Sequence, residues 1–115
     1  MGLDQLVVIT SNHGGIKATM VKQYRKNYPL SKIMLSIGVE PDLDGSEWEL
    51  TAMQLEQFLD IVEDMEKDKA NWIINAYESW MNYEPGDMED VYDEIVDIKS
   101  EIEDMKDPVV MYGIS

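Results

Sequence analysis

The chain has no cysteine, a single histidine (His13) and a single phenylalanine (Phe58). Without cysteine there is no disulfide framework and no thiolate metal site, and the composition fits a reducing cytosol. One histidine cannot build a His-based metal cluster. No apolar run approaches the roughly 20 residues that a membrane span needs. The first residues lack the charged-then-apolar build of a secretory signal, and Leu6 stands where a myristoylation motif carries Ser or Thr. The expectation is a cytoplasmic protein with no cofactor.

Positive charge is also scarce, with nine Lys and Arg against 24 Asp and Glu, for a net charge of −15. The imbalance is uneven along the chain. Residues 1–37 carry five cations against Asp4 alone, a net +4, whereas residues 38–115 carry 23 acids against four lysines, a net −19. Such a field repels nucleic acid and anionic membranes and accelerates encounter with basic partners. Neither nucleic acid nor a membrane is therefore expected as a direct partner. Self-repulsion at this density also destabilises a compact state, so the charge calls for a purpose.

What is present is enough for a core. At 115 residues and 44% hydrophobic, with three Trp, six Tyr and nine Met, the chain is too apolar for a disordered acidic tail. No internal repeat or linker divides it, so residues 1–115 read as a single domain.

The pattern predicts an α+β fold, a small N-terminal sheet packed with two or three C-terminal acidic amphipathic helices. Gln5–Ser11 is β-branched and apolar, a buried strand, and Asn12-His13-Gly14-Gly15 reads as a turn. Ile16–Tyr28 is ambiguous. Helical period groups Ile16, Met20 and Tyr24, whereas period two groups Ile16, Ala18 and Met20. The helix is favoured, because Arg25-Lys26 suits the negative end of a helix dipole and Pro29 supplies a stop. With a strand at Lys32–Glu40 this forms a βαβ unit, and a three-strand meander is the alternative. Pro41–Gly45 is a turn. Ser46–Glu49 and Thr51–Gln54 both have the form of a capping box, and Leu55, Phe58, Leu59, Val62 and Met65 make the apolar stripe of the helix that follows. Asn71–Tyr83 is an aromatic helix carrying Trp72, Tyr77, Trp80 and Tyr83, and Glu84-Pro85-Gly86 breaks it. A last helix runs from Asp87 to Lys106, and Val109–Ile114 reads as an edge strand.

On a helical wheel, Met88, Val91, Tyr92, Ile95, Ile98, Ile102 and Met105 of the last helix share one side. Asp90, Asp93, Glu94, Asp97, Glu101 and Asp104 lie opposite within an arc of about 100°. Like-charged neighbours three or four apart each destabilise a helix by ~0.2–0.5 kcal/mol, so this stripe costs about 1–3 kcal/mol before screening. Lys99 and Lys106 fall on the apolar side and do not neutralise it. Six charges over about 21 Å of helix is one per ~3.5 Å, close to the ~3.4 Å per phosphate of one DNA strand. The preceding helix repeats the theme with Glu56, Asp60, Glu63 and Asp64, so two stripes together could stand for two backbones of a duplex. The plain alternative is a solvated, solubilising face.

In size, acidity and carboxylate-striped helices, residues 40–107 resemble the phage-encoded DNA-mimic inhibitors of restriction and CRISPR enzymes. The resemblance implies an anti-defence function, occlusion of the basic nucleic-acid groove of a partner such as a nuclease by these ten carboxylates. The basic segment Lys17–Lys32 departs from a uniformly acidic mimic. It is expected to pair with the protein's own acids or with an acidic patch on a second subunit of a homodimer. The rival reading is an antitoxin or immunity protein that neutralises a basic toxin enzyme by shape.

Other motifs point to structure. Ser11–Gly15 has the spacing of neither phosphate-binding glycine loop. Glu40–Gly45 opens like a calcium loop, but Glu47 and Thr51 stand at its eighth and twelfth positions, where an apolar residue and a bidentate Glu belong. No nucleophile–base–orienter set stands out, so an enzyme is not expected.

Overall fold

The computed structural model describes residues 4–13, 16–43, 46–79 and 85–115. The elements in order are β1 (Asp4–His13), β2 (Ile16–Arg25), α1 (Tyr28–Ser36), β3 (Glu47–Glu49), α2 (Ala52–Lys67), α3 (Lys69–Ser79), α4 (Pro85–Asp104) and β4 (Pro108–Ile114). The fold is α+β. One antiparallel sheet, ordered β2-β1-β4-β3, carries four helices on one face.

Two expected elements exchange identity. Ile16–Arg25 is a strand, not a helix, and its register with β1 pairs His13 with Ile16 and Asp4 with Arg25. The strand β1 runs through Asn12 and His13, residues read as a turn, while Gly14 and Gly15 lie outside the described residues. Two glycines between two runs of strand-forming residues are a hairpin signal. It outweighed a helical period that was equally compatible with the residues.

Conversely, Lys32–Glu40 is not a strand, so no βαβ unit forms. Tyr28–Ser36 is helical because Asn27 caps it, its side-chain oxygen accepting from the Leu30 N–H at 3.0 Å. Pro29 sits in the first turn, where its missing N–H needs no partner, and so helps to start a helix instead of stopping one over Ile16–Tyr28. Gly38, at φ +84°, closes it: the Gly38 N–H donates to the Leu35 carbonyl and the Val39 N–H to that of Met34.

Of the two candidate capping boxes, the second starts α2. Thr51 Oγ1 accepts from the Gln54 N–H, and Gln54 Oε1 accepts from the Thr51 N–H at 3.0 Å. Part of the first box, Glu47–Glu49, is strand β3. The last helix begins at Pro85, inside the predicted break, and ends at Asp104. The tail strand β4 is not at an edge but lies between β1 and β3. It pairs Ile114 with Gln5, joining the two ends of the chain. Val110 and Tyr112 are buried there at about 1% exposure, which an edge position would not achieve.

Period two along β1 sends Gln5, Val7, Ile9 and Ser11 to the helix-covered side. Val7 and Ile9 meet Val110 and Tyr112 of β4, Leu30 and Met34 of α1, Phe58 and Val62 of α2, and Ile95, Ile98 and Ile102 of α4. Each such side chain stabilises the fold by about 1.5–3 kcal/mol when fully buried. The expected stripes of α2 and α4 supply this core, with Phe58, Val62 and Met65 buried and Leu55 and Leu59 half-buried. In α3 only Ala76 is buried among the described side chains, and the Trp72 ring packs at 5.6 Å from that of Tyr92.

Candidate protein-binding carboxylate surface

The tertiary structure divides the ten predicted carboxylates into two sets. On α2, Glu56, Asp60, Glu63 and Asp64 are all exposed, pointing away from buried Phe58, Val62 and Met65. Only Asp64 has an ion-pair partner among the described residues, Lys67 one turn on at 3.5 Å. On α4, Asp90, Asp93 and Asp104 are exposed, whereas Glu94 and Glu101 are half-buried. The reason is β2. This strand lies against the acidic side of α4, so Lys22 pairs with Asp97 and the Asn27 side-chain amide donates to Glu94 Oε1 at 2.9 Å.

The basic N-terminal segment is thus partly a neutraliser of the protein's own acids, as its charge led us to expect. Arg25 adds a loose pair with Asp4 at 3.8 Å. Lys26 and Lys32 are exposed and make no ion pair among the described residues.

Burial and clustered charge perturb the groups at this seam. Desolvation raises the pKa of Glu94, with a further push from Asp90, and the Asn27 hydrogen bond opposes it. The Tyr24 hydroxyl is pushed up further, first by burial and then by Asp97, Glu94 and Glu101. That hydroxyl is buried without a hydrogen-bond partner among the described residues.

The two stripes do not stand side by side. Lys99 lies about 200° around α4 from Asp97, and it reaches across to Glu66 of α2 at 2.8 Å while also binding Glu103 at 3.1 Å. The α4 stripe therefore faces away from α2. A paired-backbone arrangement, both stripes presented on one face, is not what the packing builds. Lys69 of α3 makes a further cross-link, to Glu89 at 3.2 Å, with its ammonium 5.0 Å from the Tyr92 ring centre.

Sequence reasoning missed a buried polar chain beneath this surface. Gln5 and Asn27, 3% and 0% exposed, are joined to each other and to the Tyr112 hydroxyl. The only signal for it was a polar residue opening a β-branched run and an Asn two residues before a proline. A second feature is a cleft of about 270 Å³ between α1 and α3, lined by Pro29, Ile33, Trp72 and Ala76 with Lys32 and Asn75 at its polar margin. Of the aromatic anchors considered, Tyr77 is exposed and Trp72 half-buried, while Trp80 and Tyr83 lie outside the described residues. So do Asp44 and Gly45 of the calcium-like loop.

Among the described residues no group of three or more His, Asp or Glu is arranged to hold a metal ion. None of their helices is long and apolar enough to cross a membrane. No protein-family model matches the chain, and no curated protein or solved structure matches it.

Proposed function

We propose that this chain is an acidic protein-binding inhibitor that occupies the basic nucleic-acid-binding groove of a partner such as a nuclease, in the cytoplasm and without catalysis of its own. The observation that supports this reading is the α2 stripe. Glu56, Asp60, Glu63 and Asp64 are exposed along one side of a helix with Lys67 alone to offset them. Evolution of a merely soluble surface has no need to tolerate that repulsion, because interleaved lysines would turn it into attraction. Asp90, Asp93 and Asp104 extend the field on α4, and Glu94, Asp97 and Glu101 contribute at closer range beside β2. Because the stripes diverge, the mimicry is of one strand's charge spacing on each helix.

The test is capture of basic DNA-binding proteins on the immobilised chain, followed by elution with duplex DNA and by a salt series. The expected partner is released by both, with affinity falling steeply as salt rises. Glu56→Lys, Asp60→Lys and Glu63→Lys together should abolish capture with the fold intact. Capture that survives this triple reversal, or that DNA does not displace, counts against the reading.

A second reading, an antitoxin or immunity protein that recognises its enzyme by shape, is supported by α3. Ile74 and Tyr77 are exposed there at 56% and 42%, beside the Trp72 cleft. A salt-tolerant complex lost on Tyr77→Ala would favour it.

A further inference from the structure

A sheet ordered β2-β1-β4-β3 has two edges, and they are unlike. The strand β3 has three residues, whereas β2 has ten, with no proline and an unbroken one-to-one register to β1. Asp4 and Ser115 exchange both backbone bonds, each N–H donating to the other's carbonyl. Bonding alternates along antiparallel pairs, so even-numbered residues of β1 turn their N–H and C=O groups to β4 and odd-numbered ones to β2. In the ladder with β2, Gln5 then bonds Tyr24, Val7 bonds Lys22 and Ile9 bonds Met20. The backbone groups of Thr19, Val21 and Gln23 point the other way, out of the sheet. A long edge with its bonds unmade is a template for another strand.

Side-chain packing beside that edge is also incomplete. Ala18, Met20 and Tyr24 share the helix-covered side with Ser11, Ile9 and Gln5. Yet Ala18 is exposed and Met20 and Tyr24 are only half-buried, whereas Val7 and Ile9 one strand further in are fully buried. Above them runs α4, held over β2 by the Lys22–Asp97 pair and the Asn27–Glu94 bond. Glu94 and Glu101 lie about 40–60° around α4 from Asp97, on its core-facing flank. That flank is about 140–160° from Lys99, the residue that reaches to α2. Both carboxylates are thereby turned toward the edge of β2. They are half-buried and make no ion pair among the described residues.

We propose that the free edge of β2 takes an extended segment of a partner protein as a fifth, antiparallel strand, with two basic side chains four residues apart that meet Glu94 and Glu101. Residues directly opposite across a ladder share a face. The two cations therefore stand opposite Tyr24 and Met20, their aliphatic stems covering those side chains and their heads at the carboxylates. Arginine suits the site better than lysine, because its planar fork binds a carboxylate and still donates to the Tyr24 oxygen. The position between them lies opposite Lys22, whose charge Asp97 already meets, and is uncharged. On the open face an apolar side chain lies opposite Val21, which is 56% exposed. Main-chain bonds supply the affinity and alternate side chains the specificity. A second copy of this chain does not fit. Its β2 would bring its own α4 to the same edge and set two carboxylate stripes together. The site is separate from the α2 stripe, and neither depends on the other.

The probe is a capped nine-residue threonine peptide with arginine at its third and seventh positions and valine at its sixth. It is titrated to about 5 mM into the isotopically labelled whole chain and followed by NMR, with saturable binding expected below about 1 mM. The amides of Thr19, Val21 and Gln23 should move most and become protected from hydrogen exchange. N-methylation of the peptide's valine removes the N–H that the Val21 carbonyl accepts and should abolish binding, as should glutamate in place of both arginines. Glu94→Gln with Glu101→Gln leaves Asn27 an acceptor and should weaken binding about tenfold. Glu56→Lys, Asp60→Lys and Glu63→Lys together should leave it unchanged, which separates this site from the α2 stripe. No saturable binding by about 5 mM overturns the proposal. So does binding indifferent to N-methylation, or confined to the amides of α4, since either is attraction to an acidic helix without strand pairing. Binding indifferent to the Glu94 and Glu101 variants overturns the role given to those carboxylates.

Discussion

Gln5 and Asn27 are joined twice in the interior: Gln5 Oε1 accepts from the Asn27 N–H and Gln5 Nε2 donates to the Asn27 carbonyl, both at 2.8 Å. A side-chain amide thus stands in for a strand neighbour at the junction of β2 and α1. Nε2 also donates to the Tyr112 hydroxyl at 3.0 Å, and Asn27 passes the chain on to Glu94. Residues from β1, β4, α4 and the start of α1 meet in one buried polar network.

Gln5→Ala leaves the Asn27 N–H buried without a partner, while the Asn27 carbonyl keeps the Ser31 N–H at 3.2 Å. It is expected to destabilise the protein by about 1–3 kcal/mol, the cost of one orphaned backbone group. Urea unfolding with an unchanged slope and a lowered midpoint checks it. A loss below about 0.5 kcal/mol would mean that water replaces the amide without penalty.

Glu94 introduces an unusual pH dependence. Its folded-state pKa is raised, chiefly by burial, above the ordinary value of 4.5. Stability from its protonated form is therefore complete below that ordinary value and is lost as pH rises through the folded one. Glu94→Gln retains an acceptor for Asn27 and removes this loss. The variant is expected to unfold at a higher temperature than the parent at neutral pH, with the difference shrinking as the pH is lowered. Parallel pH profiles for the two proteins would contradict it.

The Tyr24 hydroxyl is buried, lacks a hydrogen-bond partner among the described residues and faces carboxylates. Tyr24→Phe removes a desolvated polar atom and should leave stability unchanged or improve it by up to about 1 kcal/mol. Calorimetry on the pair decides, and a clear loss would reveal a hydrogen bond made in solution.

The Lys22–Asp97 pair ties β2 to the acidic side of α4 with side chains 25% and 46% exposed. Because solvent screens so open a pair, a double-mutant cycle on Lys22→Met and Asp97→Asn is expected to give about 0.5–1 kcal/mol of coupling, shrinking with added salt. Coupling near zero at low salt would reduce the contact to a surface encounter.

Gly38 holds a positive φ of +84° at the end of α1. A Cβ there would meet Gln54 Nε2 at an ordinary 3.5 Å, so space is not the obstacle. The left-handed backbone is, and Gly38→Ala should destabilise by about 1–2 kcal/mol. Equal stability would show that the turn relaxes to negative φ.

The amphipathic stripes of α2 and α4 were legible because their period is local. Phe58, Val62, Met65, Ile95, Ile98 and Ile102 lie on the core side wherever the helix is placed. The Thr51–Gln54 cap and the α+β class were legible for the same reason. The identity of Ile16–Arg25 and Tyr28–Ser36 was less so, since the first segment satisfies two periods and the second turns on a cap and a proline that also read as a stop. A Gly-Gly hairpin and an Asn-capped helix with early proline were local signals for both.

Sequence alone determined that this protein concentrates carboxylates on helix faces, because charge and helical period are properties of the chain. It could not determine which of those carboxylates stay available. That depended on β2 folding back beside β1, which brought Lys22, Tyr24 and Asn27 against Glu94 and Asp97 and left the α2 stripe in solvent. Tertiary structure also made β4 central, as contacts between residues 5 and 114 have no local signature.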